Sequence, residues 1–152
     1  DTNRNDKNSC SKNATYFISK GAELPVASQS TDFLLSVESL YYHPDPALSV
    51  REWFRAVAPM GQVGMMVDLY QENLATHTWI EALAIPVHLL SISEYVQLFE
   101  EAGFTQVVAE QVLSTAPYKE RSSFVSSRYW PSYEMYRSYR ETGSLVLWAE
   151  RS

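Results

Sequence analysis

One strand–helix–strand pattern constrains the fold of this chain more than any other feature. Phe33–Val37 is a short apolar run typical of a strand, and Asp45-Pro46 is a helix opening with an acidic cap and a proline at the first position. Apolar residues recur at helical spacing over 50–57, and 63–67 is the continuous apolar run of a strand buried on both faces. Proline and glycine in 59–62 predict the turn between them. This β-α-β unit predicts an α/β fold with a mostly parallel sheet.

The polar and aromatic loops that follow these two strands are the predicted functional site. The first loop carries Glu38, Tyr41, Tyr42 and His43, and the second begins at Asp68. Open α/β sheets bind ligands in the crevice outside the carboxyl ends of their strands, so we expect both loops to face one crevice. None of the five glycines forms a G-x-G phosphate turn. Part of the usual nucleotide cradle is therefore missing from this sequence.

Composition limits the number of domains and the class of partner. A chain of 152 residues with 45% hydrophobic content fits one domain, placed at 14–152 after a polar lead at 1–13 that we expect to be flexible. The net charge of −6 argues against nucleic acid or an anionic membrane as the main partner. Cys10 is the only cysteine, and no apolar run reaches the ~20 residues of a membrane span. We therefore expect a cytoplasmic protein.

Three further runs predict strands. Ala14–Ser19 precedes the β-α-β unit and is rich in β-branched and aromatic residues. The other two, at 104–113 and 144–149, are separated by about thirty residues rich in tyrosine, serine and arginine. With so long an insertion they are most simply an antiparallel pair that closes the sheet.

Two further helices are predicted between the β-α-β unit and that pair. Residues 76–83 predict a short helix that carries Trp79 over the crevice. Ser91 and Glu94 have the spacing of a capping box, and Gly103 supplies a left-handed cap. We therefore expect a second helix between these two signals.

The order and spacing of five segments resemble class I S-adenosylmethionine-dependent methyltransferases of the small-molecule type. The segments are 19–33, Arg51–Arg55, Pro59–Gly61, 98–104 and 144–148. The first of them follows the family's sequence around its fourth strand, including the run Gly21-Ala22-Glu23-Leu24-Pro25. The resemblance covers about nine tenths of the chain and corresponds to the C-terminal portion of the family.

This resemblance implies a partial Rossmann-like fold, mostly parallel and ending in an antiparallel hairpin. The family's first strands and its glycine loop have no counterpart in this sequence. Lys20 stands where the family has an aspartate that accepts a hydrogen bond from adenine, and lysine cannot accept that bond. Without the first strand, Phe33–Val37 becomes an edge strand. We expect it to be covered by Ala14–Ser19 folding back or, preferably, by a second copy of the chain in a homodimer.

The resemblance also implies a function. It implies S-adenosyl-L-methionine as the cofactor and methyl transfer to a small-molecule acceptor, here in an N-terminally incomplete chain. Such a transfer requires donor and acceptor to be aligned at about 3 Å and needs no dedicated catalytic motif. The alternative is a truncated, non-catalytic relative that serves as a binding or assembly module.

Candidate site residues fall into three groups. The cofactor-binding candidates implied by the resemblance are Ala22, Glu23, Ser36, Glu38 and Tyr41. The substrate-binding candidates, which border or roof the crevice, are Tyr42, Asp68, His77 and Trp79. Candidates for a catalytic role are Glu38 and His43, because histidine titrates near neutral pH and a carboxylate can accept a proton.

Each candidate also has a structural interpretation. The tyrosines could cover the end of the sheet, His43 could be a solvated turn residue, and Asp68 could cap a helix. The aromatic stripe at 129–139 is expected to pack rather than to bind substrate. The three histidines lack the short spacing of metal ligands, so we expect no metal site.

Overall fold

One mixed sheet of four strands organises the computed structural model, which describes residues 14–152. The strands are β1 (Thr31–Val37), β2 (Val57–Val67), β3 (Thr105–Val112) and β4 (Ser144–Glu150). Their order across the sheet is β1-β2-β4-β3. β1 and β2 are parallel, whereas β4 is antiparallel to both β2 and β3. This arrangement confirms the partial Rossmann-like α/β fold and its antiparallel ending.

Four α-helices connect these strands. They are α1 (Pro46–Ala56), α2 (Thr78–Leu83), α3 (Ile92–Ala102) and α4 (Tyr133–Thr142). Short 3-10 turns lie at Leu40–Tyr42, Leu74–Thr76 and Arg121–Ser123. The predictions for the first three α-helices are confirmed.

Helix termini follow the predicted signals. The Asp45 side chain accepts a hydrogen bond from the Leu48 amide at 2.8 Å at the start of α1. Ser91 and Glu94 form a reciprocal capping box at the start of α3. Gly103 ends that helix at φ 106°, a left-handed conformation that glycine adopts at no steric cost.

Ala14–Ser19 is not a strand, so that prediction is wrong. These residues are exposed and irregular, and within residues 14–152 β1 pairs with β2 alone. The segment therefore does not fold back beside β1. The prediction of a flexible lead at 1–13 lies outside the described residues.

The turn predicted at 59–62 lies inside β2 rather than before it. α1 ends at Ala56 and the strand begins at once, so proline and glycine produce an irregularity within the strand. The register with β1 shifts there, from Thr31 opposite Val57 to Phe33 opposite Gln62. The turn is held from the other side, because the Met60 amide donates to the Arg151 carbonyl at 2.7 Å.

The sheet buries one face much more completely than the other. α1 and α3 cover the first face, where alternate residues of β2 and β4 are fully or almost fully buried: Val63, Met65, Val67, Leu145, Leu147 and Ala149. On the opposite face, which we call the open face, six large apolar side chains are 42–57% exposed: Phe33, Leu35, Val37, Val108, Val112 and Trp148. Residues 63–67 were predicted to be buried on both faces, but Met66 on the open face is only partly buried.

The insertion between β3 and β4 contains α4, a helix that the sequence analysis did not predict. Its cap is Ser132, whose hydroxyl accepts from the Met135 amide at 3.2 Å. The buried Arg140 guanidinium donates to carbonyl oxygens of the insertion, including Ser114 at 3.2 Å. Arg140 therefore fastens the irregular part of the insertion to its helix.

Replacing Ser91 tests how much the capping box stabilises α3. We expect Ser91→Ala to lower the free energy of unfolding by about 1 kcal/mol, because an amide at the helix start loses its acceptor. The exposed Ser126→Ala is the matched control and should change it by less than about 0.5 kcal/mol. Urea denaturation measures both, and equal effects of the two substitutions would contradict the prediction.

Candidate functional site

Glu38 and Asp68 meet at the carboxyl end of the parallel strand pair. Glu38 follows β1 and Asp68 follows β2, and the Asp68 amide donates to Glu38 Oε1 at 2.6 Å. Glu38 Oε2 accepts from the Tyr41 hydroxyl at 2.8 Å. Glu38 itself has φ 51°, a left-handed conformation unusual for a side chain of this size. The two loops predicted to face one another are therefore in direct contact at this edge of the sheet, through Glu38 and the Asp68 amide.

Burial sets the electrostatics of this centre. It raises the pKa of Glu38 to about 7, with a smaller contribution from the nearby charge of Asp68 and a partly compensating hydrogen bond from Tyr41. Burial and hydrogen bonds to Tyr42 and Glu38 also raise the pKa of Tyr41 above its ordinary value. Glu38 can therefore exchange a proton near neutral pH, whereas Tyr41 remains a hydrogen-bond donor.

Asp68 is held from the side of the insertion. Its Oδ2 accepts from the Tyr139 hydroxyl of α4 at 2.6 Å, and its Oδ1 is buried without a partner. Sequence reasoning grouped Tyr139 with the packing residues and missed this contact. The cap at Ser132 and the helical spacing of Tyr136 and Tyr139 are signals that could have identified the helix.

Trp79 packs against the insertion, whereas His77 contacts the loop that follows β2. The Trp79 indole donates to the Tyr129 carbonyl at 3.0 Å, and its ring lies 5.0 Å from that of Trp130 and 5.8 Å from that of Tyr139. His77 Nε2 lies 3.1 Å from the Gln71 carbonyl oxygen. Tyr139 thus connects Trp79 to Asp68.

A cleft beside the end of β1 holds the remaining candidates. Its volume is about 300 Å³, and it is lined by Ser19, Gly21, Leu24, Leu34, Leu35, Ser36, Ser39, His43 and Trp53. The Ser36 and Ser39 hydroxyls are 2.8 Å apart and present polar groups there. Ala22 and Glu23 line an adjoining cavity of about 330 Å³ with Tyr42 and His43. Both cavities fall at the small end of ligand-site sizes.

His43 lies between these two cavities and is fixed there. Its Nδ1 is 2.8 Å from the Ser49 hydroxyl, and burial lowers its pKa. The ring occupies the space that a Cβ at position 21 would need, so only glycine fits at Gly21. His43 is therefore a packed residue of the cleft wall and not a solvated turn residue.

The loop that carries Ala22 and Glu23 is tied to α1. Glu52 Oε1 accepts from the Leu24 amide at 2.8 Å, and Arg55 donates to the Val26 carbonyl at 3.0 Å. Glu52 and Arg55 pair with each other at 2.7 Å, which lowers the pKa of Glu52. The Arg51–Arg55 segment thus acts as the anchor of the cleft's outer wall.

No group of three or more metal-ligating side chains occurs in residues 14–152. The same part of the chain has no helix long and apolar enough to cross a membrane.

We compared the chain with protein families and with curated protein sequences. A family profile described as a methyltransferase domain matches residues 2–65. Comparison with curated protein sequences finds no match.

Several solved structures share the fold. A chain of the Haloferax volcanii complex between the Trm112 methyltransferase activator and its methyltransferase partner is 26% identical, with a TM-score of 0.77 over 88% of this chain and 60% of that one. An S-adenosylmethionine-dependent methyltransferase from Thermotoga maritima is 17% identical, with a TM-score of 0.63 over 87% of this chain and 61% of that one. Geranyl diphosphate C-methyltransferase from Streptomyces coelicolor, solved with S-adenosyl-L-homocysteine, is 12% identical, with a TM-score of 0.63 over 90% of this chain and 53% of that one.

The chain has the class I S-adenosylmethionine-dependent methyltransferase fold, and S-adenosylmethionine is the cofactor that this resemblance implies. It spans only about 60% of the length of the first of these neighbours. The residues present fit part of such a donor, because the cleft combines the Ser36 and Ser39 hydroxyls with apolar side chains at a strand end. When bound, the donor supplies an electrophilic methyl group on a sulfonium ion.

The raised pKa of Glu38 gives a pH prediction. Between pH about 4.5 and 7 the folded protein keeps a proton that the unfolded chain has released, so the free energy of unfolding falls as pH rises through this window. We expect Glu38→Gln to lack this fall, while the exposed Glu100→Gln control retains it. Urea denaturation from pH 5 to 8 compares the three proteins, and a carbon-13 NMR titration of Glu38 should have its midpoint near 7. A midpoint near 4.5 would contradict the assignment.

Proposed function

We propose that this chain contributes the acceptor side of an S-adenosylmethionine-dependent methyl transfer to a small molecule. The observation that carries the proposal is the hydrogen-bonded pair Glu38 and Asp68 beside a cleft at the strand ends of a methyltransferase fold. The pair lies at the end of the sheet where open α/β proteins bind ligands. Proximity of donor and acceptor is worth about 7–11 kcal/mol in such reactions, so positioning groups are the main requirement.

We assign the candidate site residues either to the methyl donor or to the acceptor. We assign Ala22, Glu23 and Ser36 to the donor, because they line the cavities along the loop anchored by Glu52 and Arg55. We assign Tyr41 the role of orienting Glu38 through their 2.8 Å hydrogen bond.

On the acceptor side, Glu38 is the proposed base, since a carboxylate with a pKa near neutrality can both accept and release a proton. We propose that Asp68 borders the acceptor at the end of β2 and that Tyr42 borders it from the cavity that Tyr42 shares with Ala22 and Glu23. Trp79 supports Tyr139 behind the acceptor. His43 lies in the wall of the cleft. Its ring is held by Ser49 and separates the loop that carries Ala22 and Glu23 from the cleft.

A non-catalytic binding or assembly module is the second candidate function. It is favoured by the open face, which exposes large apolar side chains of the sheet. The Haloferax volcanii neighbour is solved with an activator protein, and for this second function we propose a protein partner for this chain as well. The two functions differ in whether a methyl donor binds at the strand ends.

Donor binding separates them. We expect S-adenosyl-L-homocysteine to bind the 152-residue chain more weakly than micromolar, because the chain has no glycine-loop sequence, and to shift amide NMR signals of Gly21–Glu23 and Ser36–Tyr42. Calorimetry and an amide titration measure these effects. Shifts confined to other parts of the chain would refute the methyl-transfer proposal, and micromolar affinity would show that the missing cradle is replaced.

We also propose that the chain is cytoplasmic and that it forms a homodimer through β1. Within the described residues β1 is an edge strand with exposed Phe33, Leu35 and Val37, and such an edge is a template for strand pairing. Ala14–Ser19 does not occupy the edge, which leaves the second copy as the proposed cover.

Sedimentation tests the dimer. We expect a dimer at micromolar concentration that Leu35→Lys dissociates, because a lysine at the edge disfavours pairing. Leu74→Lys is the matched control, since Leu74 is 70% exposed and lies away from the sheet. A wild-type monomer at this concentration would rule out the proposed dimer.

A further inference from the structure

The two carboxylates of the site have no cationic partner. Within residues 14–152 the ion pairs are Arg55–Glu52, Arg121–Glu134 and Arg137–Glu141. Glu38 and Asp68 receive only the neutral donors already described, from a backbone amide and two tyrosine hydroxyls. Two half-buried carboxylates that accept hydrogen bonds only from neutral donors make the site complementary to a cation.

Three buried polar atoms around the pair also lack hydrogen-bond partners. They are Asp68 Oδ1, Asn73 Oδ1 and the Tyr95 hydroxyl. Asn73 is fully buried, and its Nδ2 donates to the Asp68 carbonyl at 3.0 Å, which places it at the end of β2. Tyr95 is fully buried as well; burial raises its pKa, and the charge of Glu38 adds a smaller increase.

All three unpartnered atoms can accept a hydrogen bond from a bound group. The two Oδ1 atoms can only accept hydrogen bonds, and the hydroxyl can accept as well as donate. Buried polar groups are satisfied in the great majority of proteins, so the site requires a group rich in donors. An ammonium group provides three N–H donors together with the missing positive charge, whereas an alcohol provides one donor and a carboxylate none.

We infer that Glu38 and Asp68 recognise an amine acceptor, bound as its ammonium ion. The inference rests on the proposed function and names the substrate class of that same site. In the reaction the ammonium gives one proton to the Glu38 carboxylate, and the freed nitrogen lone pair attacks the methyl carbon as its bond to sulfur breaks, with that electron pair passing to sulfur. The products are a methylated amine and S-adenosyl-L-homocysteine.

Binding without the donor tests the inference directly. The probes are 2-phenylethylamine, 2-phenylethanol and 3-phenylpropanoate, which share a phenyl ring on a short arm and differ in charge. At pH 8 the amine is a cation, and an NMR titration of the 152-residue chain should show it binding about tenfold or more tightly than the alcohol. We expect the anion to bind most weakly and the amide shifts to include Glu38 and Asp68.

Charge-removing variants provide the control. Glu38→Gln and Asp68→Asn should each weaken amine binding about tenfold and leave alcohol binding unchanged, whereas Glu100→Gln should change neither. Circular dichroism checks that each variant is folded, and Glu38→Asp, which keeps the charge, should retain the preference for the amine if Glu38→Gln does not fold. Equal binding of amine and alcohol, a preference that survives both variants, or no binding of any probe would overturn the inference.

The result is separable from the test of the proposed function. A chain that prefers the amine but shows no strand-end shifts with S-adenosyl-L-homocysteine would refute methyl transfer and leave the ammonium site standing. Donor shifts without an amine preference would refute the substrate class alone.

Discussion

The parallel pairing of β1 with β2 is the interaction on which the rest of the structure depends. A parallel pair needs a crossover, and α1 provides it while burying its apolar side against the sheet. Because parallel strands end at the same edge, the crossover brings Glu38 and Asp68 together although thirty residues separate them in sequence. The site is thus a direct product of topology, and the 2.6 Å bond from the Asp68 amide fixes the spacing of the two loops.

The same sheet is only half covered. α1 and α3 shield one face, while the open face presents Leu35, Val108 and Trp148 to solvent. A twofold pairing of β1 edges would leave this face uncovered, because antiparallel edge pairing places both open faces on the same side. Dimer formation through β1 therefore does not explain what covers the open face. This chain spans 60% of the Haloferax volcanii neighbour and 53% of the Streptomyces coelicolor one, so both neighbours have additional chain outside the shared part.

The failures of sequence reasoning have identifiable causes. Ala14–Ser19 has the composition of a strand, but strand propensity is realised only through pairing, and within the described residues this segment pairs with no strand although the edge of β1 is open. The proline and glycine of 59–62 were interpreted as a turn that precedes the strand. In the structure they lie inside β2, because β4 pairs with β2 from Gln62 onward and Arg151 forms backbone hydrogen bonds with Met60 and Gly61. α4 was missed because its tyrosines suggested surface packing, whereas Tyr139 donates a hydrogen bond to Asp68.

By itself the sequence determined the local elements and their ends. Asp45, Ser91 and Gly103 act through contacts a few residues away, so capping rules locate α1 and α3 without any knowledge of the fold. Only the tertiary structure decided which side chains share the site. The contact of Tyr139 with Asp68 spans 71 residues, and the raised pKa of Glu38 comes from burial, a property that exists only once distant segments have packed.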